Sequence, residues 1–393
     1  MEIKRNKKQI NKTSVGQHVD IFLIFTVIIV MLIMIIGSAV LPDRDKSDNE
    51  NRFLTQAPTF SLEGILSGEY QTQLEDYLSD QIIGRDKWVK IRSSVLKSVG
   101  YNDINGVYVL DDGRLIERKT QADFNAQRFK KNLDQIVEME GEVSEAGTEI
   151  RVMLVPTAAY SYRNEANLST NYDEGEALTL ARDTLGEMYV ELDDALVPDD
   201  EHKDGFYYMT DHHWNYDGAL KCASIYRDSL GLDPKEYTPK ELTDEFKGTL
   251  YSKVLLSELI RDSICVPEES LDTDVTVKID TDTYDSIYFM DRLENKDKYE
   301  VFFGGNYGRV DIKNNGDEAA RKPRLLIVKD SYANSFVPFI LDDFSEITMI
   351  DPRYFRESAK DLALDGEYDQ VLVLFNVTDF SEEKMSLNTS LIS

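Results

Sequence analysis

The sequence predicts an α/β domain, a parallel sheet covered by helices on both faces, standing behind one membrane-spanning helix. Three observations predict it. Glu149–Val155, Met188–Leu192, Arg324–Val328, Glu346–Ile350 and Gln370–Phe375 are short β-rich runs. Helical stretches, among them Leu178–Glu187, Gly218–Leu230 and Tyr332–Leu341, lie between several of them. Apolar strands alternating with helices mark a sheet buried on both sides. Finally, Ile21–Val40 is a run of twenty residues without a charge.

Twenty helical residues span about 30 Å, the hydrocarbon thickness of a bilayer. A signal-peptide core is shorter, although Ser38 and Ala39 resemble a cleavage site. Lys4, Arg5, Lys7, Lys8 and Lys12 precede the run, and acidic residues dominate after it. Basic flanks stay in the cytoplasm, so residues 1–20 are read as a cytoplasmic tail and 21–41 as the membrane helix. The remainder is then extracellular on a single-pass anchor. Residues 42–60, polar and holding Pro42 and Pro58, read as a stalk. The domain proper is expected over 61–380, with a tail at 381–393.

Within it, residues 61–100 show helical spacing at Leu74, Tyr77, Leu78, Ile82 and Ile83. Gly106–Glu117 reads as a hairpin turning at Asp112-Gly113, and residues 119–142 read as a helix. The segment 232–320, polar and rich in Asp, Thr and Lys, interrupts the strand–helix rhythm and reads as a large insertion.

The chain carries 44 basic and 73 acidic residues, and five and two of these lie within residues 1–42. The part expected outside therefore has 39 basic and 71 acidic residues, a net charge of −32. Such a surface argues against nucleic acid or anionic lipid as a partner. Cys222 and Cys265 are the only cysteines. Outside the cell they can pair or stay free, and their spacing offers no zinc ribbon or thioredoxin motif.

Of four histidines, His18 falls on the cytoplasmic side, leaving His202, His212 and His213. The last two sit in Thr210-Asp211-His212-His213-Trp214-Asn215. In an extended segment Asp211 and His213 point to one side and His212 to the other. Asp211 then accepts from His213 Nδ1–H, which leaves Nε2 as a base. Asn215 or Asp217 would open the following helix. Ser331, between the run Arg324–Val328 and a helix starting at Tyr332, lies on a strand–turn–helix elbow, where open α/β sheets bind ligands. The Tyr332 N–H and the helix N-terminus would face an anion formed there. A serine before a helix is also a good N-cap. His212 and His213, with Asp211 and His202, also have the makings of a metal site. Gly304-Gly305-Asn306 reads either as oxyanion donors, with Gly305 and Asn306 in that role, or as a turn with glycine at positive φ. Arg353 suits a carboxylate or acetyl oxygen, or a surface ion pair.

These residues resemble the DHHW protein family, which is similar to the alginate O-acetyltransferase proteins with SGNH-hydrolase-like domains. The Asp-His-His-Trp block carries most of the resemblance. Glu50–Leu54 with Ala57-Pro58, Gly84–Trp88, Val328–Tyr332, Ile350–Tyr354 and Asp369–Phe375 resemble further blocks. The resemblance implies a three-layer α/β/α domain with Ser331 as nucleophile, His213 as base and Asp211 as orienter. Serine follows Asp-His in the chain, the permuted order of the acetyltransferase relatives. The second histidine is typical of the DHHW group rather than of the alginate proteins. The expected function is acyl (acetyl) transfer to a cell-surface or secreted polysaccharide, with no cofactor and no metal. A membrane-bound O-acyltransferase is the expected partner. A carbohydrate esterase with the same triad, a non-catalytic glycan-binding or assembly protein, and a metal-dependent hydrolase remain open alternatives.

Overall fold

The computed structural model describes residues 14–47, 52–164, 172–256, 260–366 and 368–382. The chain divides into two compact units, Met1–Arg92 and Ser93–Ser393. The division falls inside the helix Arg85–Ser98, later than the domain start expected at residue 61.

In the first unit, the helix Ser14–Val40 contains Val19–Ser38, twenty residues long and apolar enough to cross a membrane. It fits a single-pass anchor or a signal sequence. The segment expected as a stalk is tied to the helix Glu69–Gln81. Thr55 N–H donates to Asp80 Oδ2 at 2.8 Å, and Gln81 Nε2 donates to Arg44 O at 3.0 Å and Thr55 O at 3.1 Å.

The second unit is built on one seven-stranded sheet. Its strands are β1 (Glu149–Val155), β2 (Val275–Ile279), β3 (Asp282–Tyr284), β4 (Arg309–Asn314), β5 (Arg324–Lys329), β6 (Glu346–Ile350) and β7 (Gln370–Asn376). Their order is β3-β2-β4-β6-β5-β7-β1. β6, β5, β7 and β1 run parallel, whereas β4, β2 and β3 are joined antiparallel beyond β6. The central parallel sheet is present, but the whole sheet is mixed. Segment 232–320 supplies all three antiparallel strands and a hairpin of Pro239–Phe246 with Asp262–Pro267.

Side-chain alternation explains the layers. In β5, Leu325 and Ile327 enter one core and Leu326 and Val328 the other. β7 splits likewise, Leu372 and Leu374 against Val371, Val373 and Phe375. One core is roofed by the helices Tyr216–Ser229 and Tyr332–Ile340 through Ala219, Ala223, Tyr226, Phe336 and Ile340. The other is roofed by Ala126–Val143 and Glu174–Leu185 through Phe129, Leu133, Ile136, Leu178 and Ala181. A strand buried on both faces is apolar through most of its length, which is why β1, β5 and β7 stand out in the sequence. β2 and β4 send only Val275, Val277, Ile279, Val310 and Ile312 into a core, so they alternate with polar residues and read as loop.

Two expectations shift. Met188–Leu192 is not a strand: Tyr189 makes a single parallel bridge to Val152 after a turn of 3-10 helix. The helix expected over 119–142 begins at Ala126, capped by the Asn125 side chain. The hairpin forms as expected, Val107–Val109 against Leu115–Glu117.

Candidate active site

Ser331 follows β5 at its carboxyl end and immediately precedes the helix Tyr332–Ile340. It occupies the N-cap position, yet its hydroxyl caps nothing. That work is done by Asp330, whose Oδ1 accepts from Tyr332 N–H at 2.9 Å and Oδ2 from Asn376 N–H at 2.6 Å. The Ser331 hydroxyl is left for His213, with Oγ 2.8 Å from Nε2. The expected donor role of Tyr332 meets an obstacle here, because its N–H already serves the Asp330 carboxylate.

Residues 209–213 bend rather than run extended. Asp211 Oδ1 accepts from His213 N–H at 3.0 Å, a side-chain turn between i and i+2, and lies 2.6 Å from Nδ1 of the same residue. The aspartate thus reaches the imidazole through a turn. Because the segment bends, His212 does not face away. Its ring centroid lies 4.0 Å from that of His213, and its Nδ1 is 2.8 Å from Thr249 Oγ1. Thr249 also supports Asp211, donating from N–H at 2.7 Å and from its hydroxyl at 3.0 Å to Oδ2.

Three anchors hold this bend. Asp262 accepts from the Met209 and Thr210 N–H groups at 2.7 and 2.9 Å. Tyr207 and Trp214 form an antiparallel bridge across the loop. Trp214, fully buried, packs on Tyr332 and Phe336 and donates from Nε1 to Ser335 Oγ at 2.9 Å. The tryptophan therefore fastens the histidine loop to the helix that follows Ser331. Asn215 caps the next helix as expected, accepting from Gly218 N–H at 3.1 Å.

Burial sets the electrostatics. It pushes His213 down to about 4, with His212 adding to the effect and Asp211 opposing it. Burial alone would raise Asp211; the two imidazoles and the hydrogen bonds from His213 and Thr249 outweigh it and hold the carboxyl far below its ordinary value. At neutral pH the pair is an aspartate beside a neutral imidazole. Tyr299 stacks on the His213 ring, centroids 4.0 Å apart and planes at 10°, which fixes the ring's tilt.

Asn306 lies on the other side of the Ser331 block. Its Oδ1 accepts from Lys329 Nζ at 3.1 Å and Asn334 Nδ2 at 3.1 Å. An ammonium only donates, so the amide oxygen must face the lysine and Nδ2 is the group these contacts do not consume. Lys329 is buried, lowered by that burial to about 8, and donates also to Asn334 Oδ1 at 2.7 Å. Phe303, Gly304 and Gly305 have φ of 61°, 76° and 133°, so the Gly-Gly turn is real and delivers Asn306. Arg353 is bound by Asp351, Nε to Oδ1 at 2.9 Å and Nη2 to Oδ2 at 2.5 Å.

Asp211, His212 and His213 offer ligand atoms within 4.8 Å of one another. At 2.6 Å, however, Asp211 Oδ1 and His213 Nδ1 share a proton, and an ion there would have to break that bond. His202 is elsewhere, paired with Asp199 at 2.8 Å. Both cysteines are free thiols, Cys222 buried and Cys265 partly so.

Residues 195–350 match the DHHW protein family. The resemblance drawn from the sequence holds, and the matched stretch runs from before the Asp-His-His-Trp block through Ser331 to the end of β6. Among solved structures, a DHHW family protein from Eubacterium siraeum is 24% identical, covers 74% of this chain and 97% of its own, and superposes with a TM-score of 0.62. Bacillus cereus PatB1, solved with a sulfonyl adduct, is 19% identical over 72% of this chain and 99% of its own, TM-score 0.59. The O-acetyltransferase domain of Pseudomonas putida AlgJ is 14% identical over 71% of this chain and 93% of its own, TM-score 0.43. Compared with curated protein sequences, the chain has no match. The expected α/β fold with a central parallel sheet stands, and it carries the DHHW block.

Thr249, Asp262, Tyr299 and Asp330 were not among the expected site residues. The first three come from segment 232–320 and reach the site only through the tertiary fold. Asp330 had a local signal, an acid between a buried strand and a serine.

Proposed function

We propose that this protein is a membrane-anchored acyl (acetyl) transferase that modifies an extracytoplasmic polysaccharide through a serine–histidine–aspartate triad. The observation that carries the reading is the unbroken hydrogen-bond chain Ser331–His213–Asp211. Ser331 Oγ attacks the acyl carbonyl as its proton passes to His213 Nε2, and Asp211 stabilises the imidazolium. His213 returns the proton to the leaving group. A sugar hydroxyl then attacks the acyl-enzyme, its proton taken by the same nitrogen. The amide Nδ2 of Asn306, delivered by Gly305, is the proposed donor to the oxyanion. The Tyr332 N–H drops from that role. Arg353, its fork held by Asp351, is proposed to contribute positive charge near the site rather than a bidentate clamp.

An esterase would use the same groups with water as acceptor. The helix at Val19–Ser38 and the basic residues before it favour an anchored protein with its N-terminus inside, placed to work with a membrane-bound O-acyltransferase as acyl source. The test is turnover of an aryl acetate by the detergent-solubilised full chain, with neutral polysaccharides added and products weighed by mass spectrometry. Acetylated sugar is expected. Aryl release no faster than in Ser331→Ala would overturn the reading.

A further inference from the structure

Beside the triad lies a small cleft, open to solvent, whose walls include Glu117, Lys119, His212, Tyr332 and Asp379. The tautomer of His212 follows from its partners. Thr249 Oγ1 has one proton and lies 3.0 Å from Asp211 Oδ2, which can only accept. The proton goes there, so Thr249 Oγ1 must accept from His212 Nδ1 at 2.8 Å. Nδ1 therefore carries a hydrogen, and in the neutral ring Nε2 carries the lone pair. One aspartate thereby fixes both imidazoles, His213 directly and His212 through Thr249.

The cleft's charge is acidic. Glu117 is paired with Lys253 at 2.6 Å and lies 3.6 Å from Lys119, which is also 3.7 Å from Glu382. Among the described residues, no hydrogen bond or ion pair reaches the Asp379 carboxylate. The walls thus present two acceptors, His212 Nε2 and Asp379, and no unpaired cation.

We infer that this cleft is the acceptor subsite, that it takes an uncharged sugar ring, and that His212 Nε2 and Asp379 accept hydrogen bonds from hydroxyls beside the reacting one. The inference rests on the acyl-transfer reading. In the step it serves, the reacting hydroxyl oxygen bonds to the acyl carbon and the Ser331 ester bond breaks. The hydroxyl proton passes through His213 Nε2 to Ser331 Oγ, and His212 moves no proton. A uronate would set a second carboxylate beside that of Asp379, which no hydrogen-bonded cation among the described residues neutralises, and be repelled.

The test uses the full chain in detergent micelles with an aryl acetate as donor. A neutral cello-oligosaccharide and an oligogalacturonate serve as acceptors. Two quantities are read: aryl release, and the ratio of acetylated sugar to free acetate. The neutral sugar should give a ratio about tenfold above that of the uronate, the effect of one or two hydrogen bonds and a repulsion. His212→Ala and Asp379→Ala should each lower the ratio by about tenfold, and His212→Gln, which keeps an acceptor, by less. Equal ratios for the two sugars, or an unchanged ratio in both alanine variants, would overturn the subsite while leaving acyl transfer standing. Absence of aryl release in the wild-type chain would overturn both.

Discussion

His213 stands between a carboxylate and a hydroxyl, and each ring nitrogen has one partner. His213→Ala should reduce turnover by about 10⁴ or more, as removal of a triad base does, with aryl acetate hydrolysis as the assay. Because the imidazole must be neutral to act and burial lowers it to about 4, activity should stay level from neutral pH down to about 5. It should then fall as pH passes through 4. Stability follows the same sign. The unfolded histidine binds a proton near pH 6.5 and the folded one does not, so stability drops as pH falls from 6.5 towards 4. An activity midpoint near 6.5 would contradict this. Ser335 is the neighbouring serine with a different task, since it accepts from Trp214 Nε1 and meets Tyr299 OH at 2.9 Å. Ser335→Ala should cost about 1–3 kcal/mol in thermal unfolding, because it strands a buried indole N–H, and should leave Ser331 reactive.

The elements explain which parts were legible in the sequence. Asp211 and His213 are two residues apart, and Ser331 ends an apolar strand buried on both faces, so local pattern exposes all three. The predicted geometry was extended and the actual one is a turn, which reversed the expected orientation of His212. Asp262 helps to hold the turn and Thr249 supports Asp211, and neither leaves a local trace because both sit in a polar segment far along the chain. β2 and β4 escaped notice for a related reason: one buried face yields alternation, not an apolar run. The support for Asp211 can be tested at Gly248. A Cβ there would meet Asp211 Oδ2 at 2.2 Å and its Cβ at 2.3 Å. Gly248→Ala should therefore shift the aspartate and lower activity by about 10²-fold, the usual effect of a displacement near 1 Å, while circular dichroism stays near that of the wild type. Full activity in this variant would mean that the Thr249 turn does not position Asp211.

For the whole chain, the basic residues before the apolar helix Val19–Ser38 are the basis of the proposed orientation. Protease added outside intact cells should digest an epitope at the C-terminus and spare one at the N-terminus; the reverse pattern would contradict the proposed orientation. The direct measurement of whether Ser331 is a nucleophile rather than a helix cap is covalent labelling of the intact chain by a sulfonyl fluoride. An activated serine forms an adduct because the same base and oxyanion donors act on the reagent. One adduct is expected, mapped by mass spectrometry to the peptide bearing Ser331 and lost in both Ser331→Ala and His213→Ala. A folded wild-type chain that takes no label, or a label that persists in Ser331→Ala, would contradict it.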